Sequence, residues 1–383
     1  MRPHRITPIG AALAILAGAA AAQPAPARDT VVETRLLAPP VKASIRRLAG
    51  NAAPTTAAAA AAEVRRLIEA GRAGGDPRTL GLAESVLARW PAGDAATPAE
   101  LLVLRATLEQ SRHRFDAAAA LLDRVIARAP RLPAATLGQA LLTRATVAQV
   151  RGRYAEAAAD CERLRALNAE VAAICSAIND TLTGRLDAAI PVLARAAAGT
   201  QGSVRGWALA ALAQAHEQRG EPQAARRAYG AALAASDDLA ARLALADLLL
   251  EQREAAAAER LLADAPEADG VLLRRWQAAR LRGVRTDLEA RLQARFDQAA
   301  ARGEPLHARD AAVFALERGD PTAALRQARD NWAVQREPAD LRVLARAARA
   351  ARDAQALADV RAWLRATGLQ DARLQSVLAG SDA

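Results

Sequence analysis

The sequence predicts an all-α fold, an α-solenoid of stacked helix hairpins, and three observations carry that prediction. Pairs of alanines twelve residues apart return at hairpin intervals: Ala106/Ala118, Ala145/Ala157, Ala177/Ala189, Ala213/Ala225, Ala246/Ala258 and Ala312/Ala324. Their first members lie 39, 32, 36, 33 and 66 residues apart, the last gap being two periods of 33. A period in this range marks stacked supersecondary units rather than one globular core. Alanine also exceeds a quarter of the 383 residues while aromatics are only 3%, which suits short helices in close side-by-side contact. Finally, turn residues punctuate the helical pattern at Gly74-Gly75-Asp76-Pro77, Pro91, Pro130, Gly152, Gly184, Gly220, Pro266, Gly303, Gly319 and Pro338.

The chain opens on what reads as an export signal. Arg2 and Arg5 precede a short apolar run from Ile9 to Ala22, and Ala20-Ala21-Ala22 supplies a cleavage site between Ala22 and Gln23. The expectation is a signal peptide over 1–22 and a bacterial periplasmic protein, with full secretion as the alternative. No later stretch approaches the 18 or so uninterrupted apolar residues of a membrane span. Residues 23–56 hold Pro24, Pro26, Pro39, Pro40 and Pro54 and read as an extended Pro/Ala-rich leader. The repeat array is expected over 57–338 and C-terminal capping helices over 339–383.

Aligning the alanine pairs exposes the unit. Before the second alanine stand a turn residue and a bulky one, as in His113 and Phe115, Gly152 and Tyr154, Gly184 and Leu186. Four residues after it come Leu122, Cys161, Leu193, Tyr229 and Leu262. The first alanine marks where helix A of a hairpin is crossed by helix B, and the second is its counterpart on B. A larger side chain at either would push the helices apart. The bulky residues are expected in the seam between neighbouring units.

With Leu212-Ala213, His216, Gly220, Ala225, Tyr229 and Ala232-Leu233 in register, the chain resembles the tetratricopeptide repeat family over roughly residues 58 to 340. Elsewhere the match is partial: Arg105, Arg144 and Ser176 stand where the family has a large residue. The resemblance implies a right-handed superhelix of eight or nine units, one of them degenerate near Ala279. It also implies binding through the inward face of helix A. That nominates Thr107, Gln110, Thr146, Gln149, Gln214, Glu217, Asp247 and Arg309, with Trp207, Leu142, Ile174 and Ile178 as an apolar floor.

Catalytic and metal motifs are absent from the sequence: there is no G-x-S-x-G, no H-E-x-x-H and no paired C-x-x-C. His113, His216 and His307 fall in different units, which an array keeps apart. No cofactor and no enzymatic activity are expected. Net charge is +10, and every basic residue except Lys42 is arginine. Arginine and acidic residues alternate rather than forming blocks, so the charge reads as compositional bias on solvated helix faces. Many arginines fall on helix B, as Arg124, Arg163, Arg226, Arg227 and Arg260 do, so a nucleic-acid-reading groove is disfavoured.

Cys161 and Cys175 lie equidistant from Asn168, where a turn in the left-handed conformation is expected. Antiparallel helices joined there bring both cysteines to the same height. A structural disulfide is the leading expectation in an oxidising compartment, with two buried thiols or a redox-active pair as the alternatives. The function expected is a non-catalytic scaffold that holds a segment of another protein in its concave groove. The alternative is a periplasmic chaperone or assembly factor for unfolded clients.

Overall fold

The computed structural model describes Ile45 and residues 54–76, 78–301, 303 and 308–380. The expected signal peptide with its Ala22/Gln23 cleavage site, nearly all of the leader, and His307 lie outside these described residues. Among the described residues there are nineteen α-helices and no strand. No helix is long and apolar enough to cross a membrane.

The helices pair in chain order. Nine hairpins are formed by α1 (Ala57–Gly74) with α2 (Arg78–Leu87), α3 (Ala99–Ser111) with α4 (Phe115–Ile126), α5 (Ala134–Val150) with α6 (Tyr154–Arg165), α7 (Ala169–Leu182) with α8 (Leu186–Gly199), α9 (Gly202–Arg219) with α10 (Pro222–Ala235), α11 (Leu239–Glu251) with α12 (Ala255–Leu261), α13 (Asp269–Leu281) with α14 (Leu288–Ala301), α15 (Ala308–Glu317) with α16 (Pro321–Val334), and α17 (Pro338–Ala350) with α18 (Ala354–Thr367). A last helix, α19 (Ala372–Ala379), completes the chain's described helices. This is the expected α-solenoid. The hairpins are numbered units 1 to 9 in chain order, and the first helix of each is its A helix, the second its B helix.

The alanine pairs sit where the packing logic requires them. All twelve are at most 2% exposed, the first of each pair on an A helix and the second on its B helix. Leu122, Cys161, Leu193, Tyr229 and Leu262, four residues further on, are each 0% exposed. Small residues let the helices approach, and the larger ones fill the space between units. Where the alanine pattern lapses in unit 7, Leu272, Leu273, Trp276, Leu292, Phe296 and Phe314 form an aromatic-rich cluster instead.

Each hairpin turn contains one residue at positive φ: Gly75, His113, Gly152, Gly184, Gly220, Arg253, Gly283, Gly319 and Arg352. In eight of them the next residue's N–H reaches back five positions to a helix carbonyl, as Arg153 N does to Ala148 O at 2.8 Å and Glu221 N to His216 O at 2.9 Å. This is the Schellman arrangement, which satisfies carbonyls left open at the helix end. Three units achieve it with His or Arg, where a side chain costs about 1 kcal/mol relative to glycine. Asn168 corrects an expectation. Its φ is −156°, and it serves as an N-cap whose side chain accepts from Val171 N–H at 3.0 Å. The unit boundary there turns by capping a helix rather than by a left-handed residue.

Candidate functional site

The A helices of units 2, 4, 5 and 8 are more covered than the B helices. No residue is fully exposed in α3, in α7 beyond Glu170 or in α15, and from Gly206 to Arg219 only Gln214 is. The B helices, by contrast, alternate exposed and buried positions, with Arg124, Arg163, Arg226, Arg227 and Arg260 all exposed. The arginines expected on solvated helix-B faces are found there.

The A helices use their charges differently from the solvated faces the sequence suggested. Arg274 on α13 is 8% exposed. It donates to both Asp247 oxygens on α11 at 2.8 Å and to Asp310 on α15 at 2.7 Å. Burial alone would depress this guanidinium, but the two carboxylates outweigh it and hold it above the ordinary arginine value. Arg309 continues the ladder, donating to Asp340 and to Glu337, each at 2.5 Å. Asp340 also accepts from Asn331 Nδ2 at 2.7 Å and from Glu337 N–H at 2.9 Å. Burial nonetheless pushes the Asp340 carboxyl up to about 6, while Glu337, though burial opposes it, is held below the ordinary carboxylate range by Arg309 and Gln335. Arg342 donates to the buried Asp371 at 2.7 Å.

The nominated groove residues therefore divide. Glu217 is 6% exposed and accepts from the buried Tyr229 hydroxyl at 2.9 Å and from Arg373 at 2.7 Å. Burial first, and the Glu217 charge second, hold the Tyr229 phenol well above its ordinary value. Asp247 and Arg309 are spent in the ladder. Gln149 is 7% exposed and donates to Cys175 O at 3.1 Å. Ile174 is wholly buried. Thr107 and Thr146 close back on their own helices, donating to Val103 O and Leu142 O, but stay partly exposed. Gln110, Leu142, Ile178 and Trp207 are also partly exposed, and Gln214 is fully so. Of the nominated positions, Thr107, Gln110, Thr146, Trp207 and Gln214 keep neutral polar or apolar surface accessible to solvent. The sequence pattern puts all of these residues on A helices but could not foresee which would be consumed by internal ion pairs.

Cys161 and Cys175 are 0% and 1% exposed, with α-carbons 5.6 Å apart and sulfurs within bonding distance. They sit with Ala145, Leu142 and Trp207 in a small apolar cluster between units 3 and 4. Among the described residues no group of three His, Cys, Asp or Glu side chains could hold a metal ion.

One feature of the array had no sequence signal. The turns of successive units meet residues far along the chain. Val334 packs against the cluster that contains Phe115, and Arg151 Nη1 donates to Ala333 O at 3.1 Å and Val334 O at 2.9 Å. Arg336 N–H donates to Val150 O at 2.7 Å. A Cβ at Gly152 would come within 2.5 Å of the Trp363 ring, one at Gly184 would overlap the Gly368 carbonyl, and one at Gly220 would lie 3.0 Å from Ala372 Cβ. At the other end, a Cβ at Gly75 would meet that of Ala268 at 2.6 Å. Units four to six apart thus touch, contrary to the expectation that an array keeps distant units apart. Winding the ribbon through one superhelical turn returns one edge onto the other.

No protein-family model matches this chain, and no curated protein matches it. Solved structures similar to it include the following three. A tetratricopeptide repeat protein from Parabacteroides merdae is 14% identical, with 75% of this chain and 99% of that chain covered and a TM-score of 0.38. The APC/C hetero-tetramer Cut9-Hcn1 is 14% identical over 76% of this chain and 63% of its own, with a TM-score of 0.36. Yeast Tom70 is 12% identical over 84% and 88%, with a TM-score of 0.28. The solenoid architecture rests on the chain's own helix pairs and their buried alanines.

Proposed function

We propose that this protein is a non-catalytic interaction scaffold of the bacterial cell envelope that holds a segment of another polypeptide along its inner wall. The observation that carries this reading is the neutral ridge of Thr107, Gln110, Thr146, Trp207 and Gln214, on a wall whose charges are otherwise neutralised internally. A stacked array offers an extended recognition surface built from many units. A ridge without a basic cluster suits a mixed polar and apolar segment rather than a phosphate backbone or a terminal carboxylate.

Export is supported by Arg2, Arg5 and the Ile9–Ala22 run. It is supported also by two buried cysteines at disulfide distance, a pairing that persists in oxidising compartments. Affinity capture with the mature chain tests the scaffold: one stoichiometric partner is expected. Many substoichiometric partners would favour a chaperone for unfolded clients instead. Thr146→Arg with Gln214→Arg should abolish capture, and undiminished capture would remove the inner wall from consideration. Cell fractionation with an antibody to the mature chain tests the location, with a cleaved product in the periplasmic fraction as the expected result.

A further inference from the structure

We infer that the contact between the hairpin turns of units 2–5 and the segment 331–373 is a latch, and that the inner wall becomes accessible when it opens. Access to the wall rests on the groove reading; the latch itself does not.

Connectivity sets this contact apart. In a stacked array each unit is stabilised by its nearest neighbours. The contacts at Arg151, Gly152, Gly184 and Gly220 are of another kind, joining units four or more apart. Breaking all of them leaves every hairpin and every neighbour interface intact, so the seam can separate without unfolding a helix. Its chemistry also differs. Neighbouring units share layers of buried alanine and leucine. The seam is held instead by the Arg336 N–H to Val150 O bond, the Arg151 bonds to two carbonyls, and Arg373 pairing with Glu217 and Glu251. Among the described residues one aromatic pair joins it, Trp363 standing 6.3 Å from Tyr154 with Arg336 over its ring at 5.1 Å, and Val334 adds an apolar contact with the Phe115 cluster. Polar contacts gain little net free energy in exchange with water, and segments with few apolar contacts open first.

The seam is nevertheless shaped for closure. Gly152 and Gly184 combine a positive φ with an approach that leaves no room for a side chain, and Gly220 combines one with an approach that leaves little. Closed, it gathers the wall: Glu217, a groove position, is held by an arginine from α19. With no fully exposed residue along α3 or α15 and only Gln214 between Gly206 and Arg219, parting the two edges would widen a polypeptide's access to the wall.

Amide hydrogen exchange on the full chain tests the latch directly, because the Arg336 amide is bonded across the seam. Arg373→Glu places a like charge between Glu217 and Glu251, and should raise Arg336 exchange at least about 10-fold while amides of α9 and α10 keep their protection. The unmodified protein supplies a second reading that needs no substitution: raising salt should speed Arg336 exchange in the same selective way, since ion pairs are screened. If Arg336 exchanges only in step with the α9–α10 amides in both experiments, the latch is overturned. Access is read with Ala210→Cys, a wall position between Trp207 and Gln214. Its labelling by a maleimide should quicken about 10-fold when combined with Arg373→Glu. Unchanged labelling alongside faster Arg336 exchange would overturn the gating role. Neither readout requires a partner, so failure of capture in the scaffold test would leave both results standing.

Discussion

Units 2–6 and units 7–9 solve the same packing problem by different means. In the first set, helices cross on pairs of wholly buried alanines, and bulky apolar residues fill the space between units. In the second set the alanine beat lapses in unit 7 and returns at Ala312/Ala324, aromatic side chains around Trp276 and Phe314 enlarge the core, and Arg274, which is buried, and Arg309 bridge successive A helices. The first set relies on non-directional close contact, which tolerates no added volume. The second relies on directional charge pairs, which tolerate no lost partner. The two halves should therefore fail under different insults.

The largest effect is expected in the ladder. Arg274→Ala leaves Asp247 and Asp310 without their shared guanidinium and should cost about 4 kcal/mol, measured by denaturant unfolding. Arg274→Lys, which cannot hold both carboxylates in one fork, should recover only part. Next comes the expected cross-link between Cys161 of unit 3 and Cys175 of unit 4. A disulfide closing a loop of about 15 residues is worth roughly 3 kcal/mol, so reductant should lower the melting temperature of the native chain and leave Cys161→Ala/Cys175→Ala unaffected. Equal melting of the native chain with and without reductant would mean that both are thiols.

The ladder also carries a pH signature that the alanine crossings lack. The folded-state pKa of Asp340 is raised to about 6, above its ordinary value near 4, so the folded state binds the extra proton between those limits. The stabilisation linked to that proton is complete below about pH 4 and is lost as pH rises through 6. Asp340→Asn should remove this slope, on the order of 3 kcal/mol across the window. Unfolding curves at pH 4, 5 and 6 for the two proteins check it. Arg309 and Asn331 face the same carboxyl, and so does Glu337, which Arg309 and Gln335 hold below the ordinary carboxylate range although burial opposes it.

In the alanine half, Ala213→Leu should cost about 2 kcal/mol by forcing α9 away from α10. A leucine at the exposed Ala234 of the same hairpin should be nearly neutral. The smallest effects are gains. Arg253 and Arg352 are exposed residues at φ of 60° and 55°, and replacing either with glycine should stabilise the chain by up to about 1 kcal/mol. Thermal melting of the single and double variants would detect it. No gain from either would mean that the arginine side chains contribute contacts that offset the backbone strain.

Legibility tracked the range of the interaction. The alanine pairs, the bulky residues four positions later and the glycine turns are readable because each depends on residues within one hairpin. His113, Arg253 and Arg352 are harder, since nothing local in a His or Arg announces a left-handed turn; only the hairpin period places one there. Asn168 departs from expectation for a related reason, because asparagine serves equally as a left-handed residue and as an N-cap, and the helix after it chooses between them. At the candidate site, Thr107, Thr146 and Gln214 are separable from Glu217, Asp247 and Arg309 only once partners 27 to 156 residues away are known.

The sequence by itself determined an all-helical array, its beat and the crossing points of its helices, because side-chain volume at a fixed spacing is a local constraint on how closely two helices lie. Only the tertiary structure decided how tightly the ribbon winds. Small rotations between neighbouring units accumulate over the chain, and their sum brought Gly152, Gly184 and Gly220 onto Trp363, Gly368 and Ala372. No single repeat encodes that sum.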